Sequence, residues 1–405
     1  MPTDARPTTD AHPTTGTCPA TDAPELPTDA PELPTDAPGL PAARGPLSAA
    51  VLASLRHPAP THLAPVLAEV PADPWGEDVQ LTLYVCYELH YRGFAGVDPA
   101  WEWSPPLLAL RGRLERAFLD ALRREVGEPP PLAEVLAGLL VEPPDGDGPS
   151  HHLLTAGTRQ QAREYLAHRS LYHLKEADPQ MWAVPRLPNP AKAALVAVQY
   201  DEYGAGRPER AHAELFAAMM ADFGLDPTYG AYLDAVPAPA LAVVNTMSLF
   251  GLHRALRAAL VGQFAAVEIT SPPGAARLAE AFERLGATPR GTLFYREHVL
   301  ADAVHEQLVR HTVIDPLLTL ADCPGPEIAF GALAYLRAED RFADHLMAAW
   351  RPDPDPDPAP GHDPDPASGY GHGHGFESGS LRAPLPEFDP GPATTGSPVP
   401  EGADR

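Results

Sequence analysis

The run EHVLADAVHEQ, residues 297–307, carries His298, Asp302 and His305. Offsets of four and seven put these side chains on one face of an α-helix, about a turn apart. Two imidazoles and a carboxylate so arranged can ligate a metal ion; the bland alternative is a solvated polar stripe. A second run, QYDEYGAGRPERAHAELF (199–216), holds Glu202, Glu209 and His212. The last two form Glu-x-x-His, a spacing at which one turn of a metal-binding helical bundle offers an oxygen and a nitrogen. A third segment, HRSLYHLKEADP, ends an amphipathic stretch with Glu176, where the helix dipole disfavours negative charge. Each segment alone has an ordinary explanation, since a lone Glu-x-x-His arises by chance in an acidic helical protein. Together they give three carboxylates and a histidine from two segments, and a carboxylate and two histidines from a third. That is a dinuclear set of hard oxygen and imidazole donors without sulfur, of the kind that suits iron or manganese.

Other polar residues rank lower. Glu88 and His90 in YELHYRG read as a buried hydrogen-bonded pair before they read as outer support for a metal. Glu268, alone in the apolar FAAVEITSP, reads as a paired core acid and not as a ligand. The stretch LAVVNTMSLFGL suggests one wall of a substrate pocket, with Asn245, Ser248 and His253 as its polar contacts. His372 and His374 in GYGHGHG receive no function.

The elements that must position these residues are helices. SPPLLALRGRLERAFLDALRREVG (104–127) has Ser104 as N-cap, proline in the first turn, leucines at helical spacing and Gly127 as a stop. TRQQAREYLAHRSLYHLKE (158–176) repeats the pattern, and further helices are expected at 79–94, 190–203, 208–223, 238–269, 274–286, 292–312 and 324–350. No run alternates with period two, so the chain reads as all-α, a bundle whose inward-facing side chains build the site. Between Glu202 and Glu209, two glycines and Pro208 oppose a continuous helix, which should be broken near 203–208.

Composition sets the boundaries. The first 46 residues carry eleven of the 52 prolines and the last 54 carry thirteen. Residues 21–41 read TDAPELP, TDAPELP, TDAPGLP, and proline within each copy rules out a coiled-coil heptad. Three regions follow: a disordered leader at 1–46, a helical domain at 47–350 and a disordered tail at 351–405. The formal net charge of −25 disfavours nucleic acid as a partner. Cys18, Cys86 and Cys323 lie far apart in sequence and offer no disulfide framework and no Cys-type metal motif. The most apolar stretch, 237–269, contains His253, Arg254 and Arg257 and reads as buried helix, not as a membrane span. With no signal segment at the N-terminus, a soluble cytoplasmic protein is expected.

The segments KEADPQMWAVPRL, DEYGAGRPERAHAELFAAMMADFGLD, YGAYLDAVPAPALAVVNTMSLFGLHRALRAALVG and EHVLADAVHEQL, in that order, resemble the iron-containing redox enzymes, within the haem-oxygenase-like di-iron oxidases and oxygenases. The resemblance covers roughly residues 75–350. It implies a haem-oxygenase-like bundle of about seven core helices, with extra helices ahead of it. It also implies a site of two irons, with dioxygen as co-substrate, and carries the family's ligands onto Glu176, Glu202, Glu209, His212, His298, Asp302 and His305. These are the residues that spacing had already selected. The implied activity is oxygen-dependent oxidation of a small organic molecule, by N-oxygenation or oxidative C–C cleavage, with Glu202 changing its coordination during the reaction. An external electron donor and a homodimer are left open. A non-catalytic iron binder or sensor is the alternative, and a haem-handling protein of the same fold fits this ligand set worst.

Overall fold

The computed structural model describes residues 37–59, 73–142, 146–320 and 324–351. Most of the expected leader, the whole tail, Cys18, Cys323, His372 and His374 lie outside them. Within the described residues the structure is helical, with no strand. Five helices precede the part of the chain that carries the candidate ligands: α1 (Pro46–Leu55), α2 (Glu77–Glu88), α3 (Pro105–Val126), α4 (Leu132–Leu139) and α5 (Pro149–Thr155). The ligand-bearing part follows as α6 (Arg159–His173), α7 (Asp178–Met181), α8 (Asn189–Glu202), α9 (His212–Asp222) and α10 (Ala238–Leu252). The last helices of the described residues are α11 (Arg257–Arg284), α12 (Leu293–Leu308), α13 (Asp315–Leu318) and α14 (Gly325–Trp350). A π-helical turn, Val309–Ile314, joins α12 to α13. No described helix is long and apolar enough to cross a membrane.

The centre of the bundle is the crossing of α11 and α14, and small residues set its closeness. A Cβ on Gly262 would lie 1.8 Å from the Ile328 carbonyl oxygen, and one on Gly331 would lie 1.9 Å from that of Ala259. Only glycine permits this approach. Helix α12 packs on α11, α10 on α14 and α2, and α9 on α6 and α12. Helices α6, α11, α12 and α14 all contribute side chains to the wall of one cavity.

Several boundaries differ from those expected. Residues 37–45, read as leader, are part of the folded unit: Arg44 donates to the Leu233 carbonyl at 2.6 Å, and Ala42 N–H to Asp234 at 2.7 Å. The helix expected over 79–94 stops at Glu88. The expected break near Pro272 is absent, because α11 runs through Pro272 and Pro273. The two prolines have no N–H to offer the carbonyls of Glu268 and Ile269, so the ladder has a gap but the helix continues. The break falls instead at His253, whose backbone is extended.

Candidate metal centre

Helix α6 starts cleanly. Thr158 Oγ1 accepts from Gln161 N–H at 3.2 Å, and Gln161 Oε1 accepts from Thr158 N–H at 2.9 Å, a reciprocal cap. It ends at His173, so Glu176 lies in the turn beyond and not on the helix. Helix α8 ends on Glu202. Gly204, Ala205 and Gly206 then take left-handed backbone, Pro208–Arg210 forms a 3₁₀ turn, and α9 opens on His212. The break expected from the glycines and Pro208 is present, and it separates Glu209 from His212. The Glu-x-x-His spacing aligns its residues only within one helix.

Six of the seven residues singled out by sequence are buried together, in two adjoining groups. Glu176, His212 and His298 place one ligand atom each within 4.8 Å of one another. Glu202, Glu268, Asp302 and His305 do the same. Glu209 is not among them: it stands exposed on the 3₁₀ turn. Its place as the fourth carboxylate is taken by Glu268 of α11, which sequence reading had set aside as a core acid. The signal was present, a single acid inside a long apolar run.

Glu202 reaches both groups. Its Oε2 lies 2.7 Å from His212 Nδ1 and its Oε1 3.3 Å from His305 Nδ1. His298 Nδ1 lies 2.7 Å from the Phe294 carbonyl, which can only accept. A proton is thereby fixed on Nδ1, and Nε2, the atom left to bind a metal, faces Glu176 Oε1 at 3.6 Å. His173 Nδ1 sits 3.0 Å from Glu176 Oε2, and the Ser271 hydroxyl donates to Asp302 Oδ2. His305 Nε2 faces Asp201, whose side chain is 53% exposed, at 3.4 Å.

Two observations test whether this donor set fits a metal. His212 Nδ1 and Asp302 Oδ1 are buried with no hydrogen-bond partner, although His212 Nδ1 is close to Glu202, because the pair is not aligned as a hydrogen bond. Orphaned buried donors or acceptors are costly unless something else satisfies them. The second observation is the charge balance. Burial, partly offset by His305 and reinforced by Asp302 and Glu202, pushes Glu268 up to about 8. Burial likewise raises Asp302 to about 6 against the pull of His298 and Ser271. Burial opposes ionisation of Glu202, but His212 and His305 outweigh it and bring it down to about 2. For Glu176, His173 and His298 outweigh burial and hold it well below the usual carboxylate range. Burial disfavours imidazolium, yet Glu202 and Glu268 raise His305 to about 11. Four carboxylates thus hold protons on themselves and on imidazoles to balance their charge, a role a cation can fill. The residues fit a metal.

A cavity of about 1050 Å³ opens onto the first group, with Glu176 and His298 in its wall. It lies between α6, α11, α12 and α14, bounded by Tyr172, Thr270, Ser271, Phe294 and Tyr335. Helix α10 does not contribute to it, which corrects the pocket wall read from sequence. Asn245 donates to the Gln80 carbonyl and side chain at 2.8 Å, Ser248 bonds Tyr91 at 3.1 Å, and His253 pairs with Glu115 at 3.0 Å. These contacts lie elsewhere, and none of the three residues lines this cavity. Glu88 and His90 are buried with separate partners: Glu88 accepts from Lys175 at 3.0 Å, while His90 sits 3.2 Å from Glu102.

Residues 163–340 match the family model described as iron-containing redox enzyme. The matched span is narrower than the 75–350 read from the motifs, yet it contains all seven clustered residues. No curated protein matches the chain.

Proposed function

We propose that this chain, matched over residues 163–340 to the iron-containing redox enzymes, is a non-haem di-iron oxidoreductase. It uses dioxygen to oxidise a small organic substrate, by N-oxygenation or oxidative C–C cleavage. The observation that carries this reading is the pair of adjoining buried ligand groups, joined through Glu202, the first of them open to a cavity. Glu176, His212 and His298 would hold one iron, and Glu202, Glu268, Asp302 and His305 the other. Oxygen-rich donors with imidazole and no thiolate suit iron, and carboxylates tolerate its change of oxidation state. Bound as a ferrous pair, the metal would supply electrons to dioxygen and thereby the oxidising power for the substrate.

The chain's own groups prepare that chemistry. The Phe294 carbonyl fixes the tautomer of His298, Ser271 orients Asp302, and His173 holds Glu176. Glu202, facing both groups, is the carboxylate best placed to change partner between them. Phe294 and Tyr172 line the cavity beside Glu176 and His298.

The alternative, an iron binder without turnover, shares the metal but has no use for a cavity that ends on the ligands. Oxygen uptake distinguishes the two. Protein loaded anaerobically with Fe(II) and mixed with oxygen should consume it faster in the presence of one class among amines, amino acids and carboxylic acids. Uptake indifferent to every member of such a panel would favour the binder.

A further inference from the structure

The cavity that ends on Glu176 and His298 also holds an ion pair with no role in the metal centre. Arg169 of α6 donates through Nη1 and Nη2 to the two carboxylate oxygens of Glu339 of α14, both at 2.7 Å. The Tyr335 hydroxyl adds a third bond to Glu339 at 2.9 Å. The Arg169 guanidinium lies over the Phe342 ring at 4.8 Å and the Tyr165 ring at 5.4 Å. Its Nε is buried and has no acceptor. The two side chains are 18% and 19% exposed, and both line the cavity. By contrast, Arg341, which pairs with Glu125 in the same lining, is 43% exposed.

We propose that the Arg169–Glu339 pair is the docking group for a zwitterionic substrate head, with an ammonium and a carboxylate on one carbon. This rests on the reading that the cavity serves the metal centre. A lone carboxylate could take Arg169 only by leaving Glu339 buried and unpaired, and a lone ammonium would strand Arg169 in the same way. Either outcome is strongly unfavourable. A head that carries both charges exchanges partners without baring either one: its carboxylate takes the guanidinium and its ammonium takes Glu339. A purely structural role, holding α6 to α14, would be served as well by two apolar side chains of similar volume.

The placement also gives the substrate a direction. Arg169 and His173 share one face of α6, about 6 Å apart at helical rise, and Glu176 follows in the turn that ends it. The remainder of a molecule held by its head at Arg169 and Glu339 would lie along Tyr172 and Phe294, ending at the metal ligands.

The experiment is calorimetry on the full chain loaded with Fe(II) under anaerobic conditions. The probes are L-norleucine, hexanoate, which lacks the amine, and pentylamine, which lacks the carboxylate. L-Norleucine should bind about tenfold or more tightly than either single-charge probe. The double variant R169M/E339M, which removes both charges together and so leaves none unpaired, should fold, keep the parent's iron content and lose that preference. Three equal affinities, no binding of L-norleucine, or a preference surviving in the double variant would overturn the proposal. Failure of the di-iron reading would show separately, as a parent iron content well short of two.

Discussion

Glu268 and Glu209 make opposite demands at the residue scale. Glu268 is buried against His305 at 3.2 Å, within the second ligand group, whereas Glu209 faces solvent. Glu268→Ala should weaken iron binding in that group by about tenfold or more, since even outer-shell changes at metal sites cost that much. Glu209→Ala should leave it within about twofold, as for an ordinary surface substitution. Anaerobic Fe(II) titration of both variants measures this, and the reverse order would return Glu209 to the site. Residue type and spacing made Glu176, Glu202, His212, His298, Asp302 and His305 legible, because buried acids and histidines are rare and five of the six lie on or at the ends of helices. Glu209 misled because Glu-x-x-His implies one face only when the helix is unbroken. Asn245, Ser248 and His253 misled because polar residues in an apolar run are more often satisfied by neighbours such as Gln80 and Tyr91 than by a ligand.

At the scale of elements, the turn between α8 and α9 sets the site's geometry. Gly204 has φ of +79°, and a Cβ there would lie 2.3 Å from the Arg207 carbonyl oxygen and 2.6 Å from Ala211 N. Those are backbone atoms, which cannot step aside as a flexible side chain would. Gly204→Ala should therefore cost about 1–3 kcal/mol of stability. It should also weaken iron binding, because Glu202 and His212 stand at the two ends of the turn. Urea unfolding and iron titration of the variant check both effects, and unchanged values in both would remove the turn from the account. This break was legible from two glycines and a proline in five residues. The course of α11 was not: Pro272 and Pro273 argue for an end, and only the packing of α11 on α14 and α12 carries the helix through them. That continuity presents Glu268, on the turn just ahead of the prolines, to the ligands of α12.

For the whole molecule, helical periodicity made the all-α class legible, while the close crossing of α11 and α14 depends on glycines whose contacts are far apart in sequence. The folded unit begins by residue 37 and not at 47, because Arg44 and Ala42 bond to Leu233 and Asp234 across nearly two hundred residues. Proline content could not reveal that. The central claim concerns two metal ions between five elements, and crystallography of the Fe(II)-loaded chain tests it most directly. Anomalous difference maps recorded at the iron edge should show two peaks. One should be bounded by Glu176, His212 and His298, and the other by Glu202, Glu268, Asp302 and His305. A single peak, or peaks away from these residues, would contradict the account.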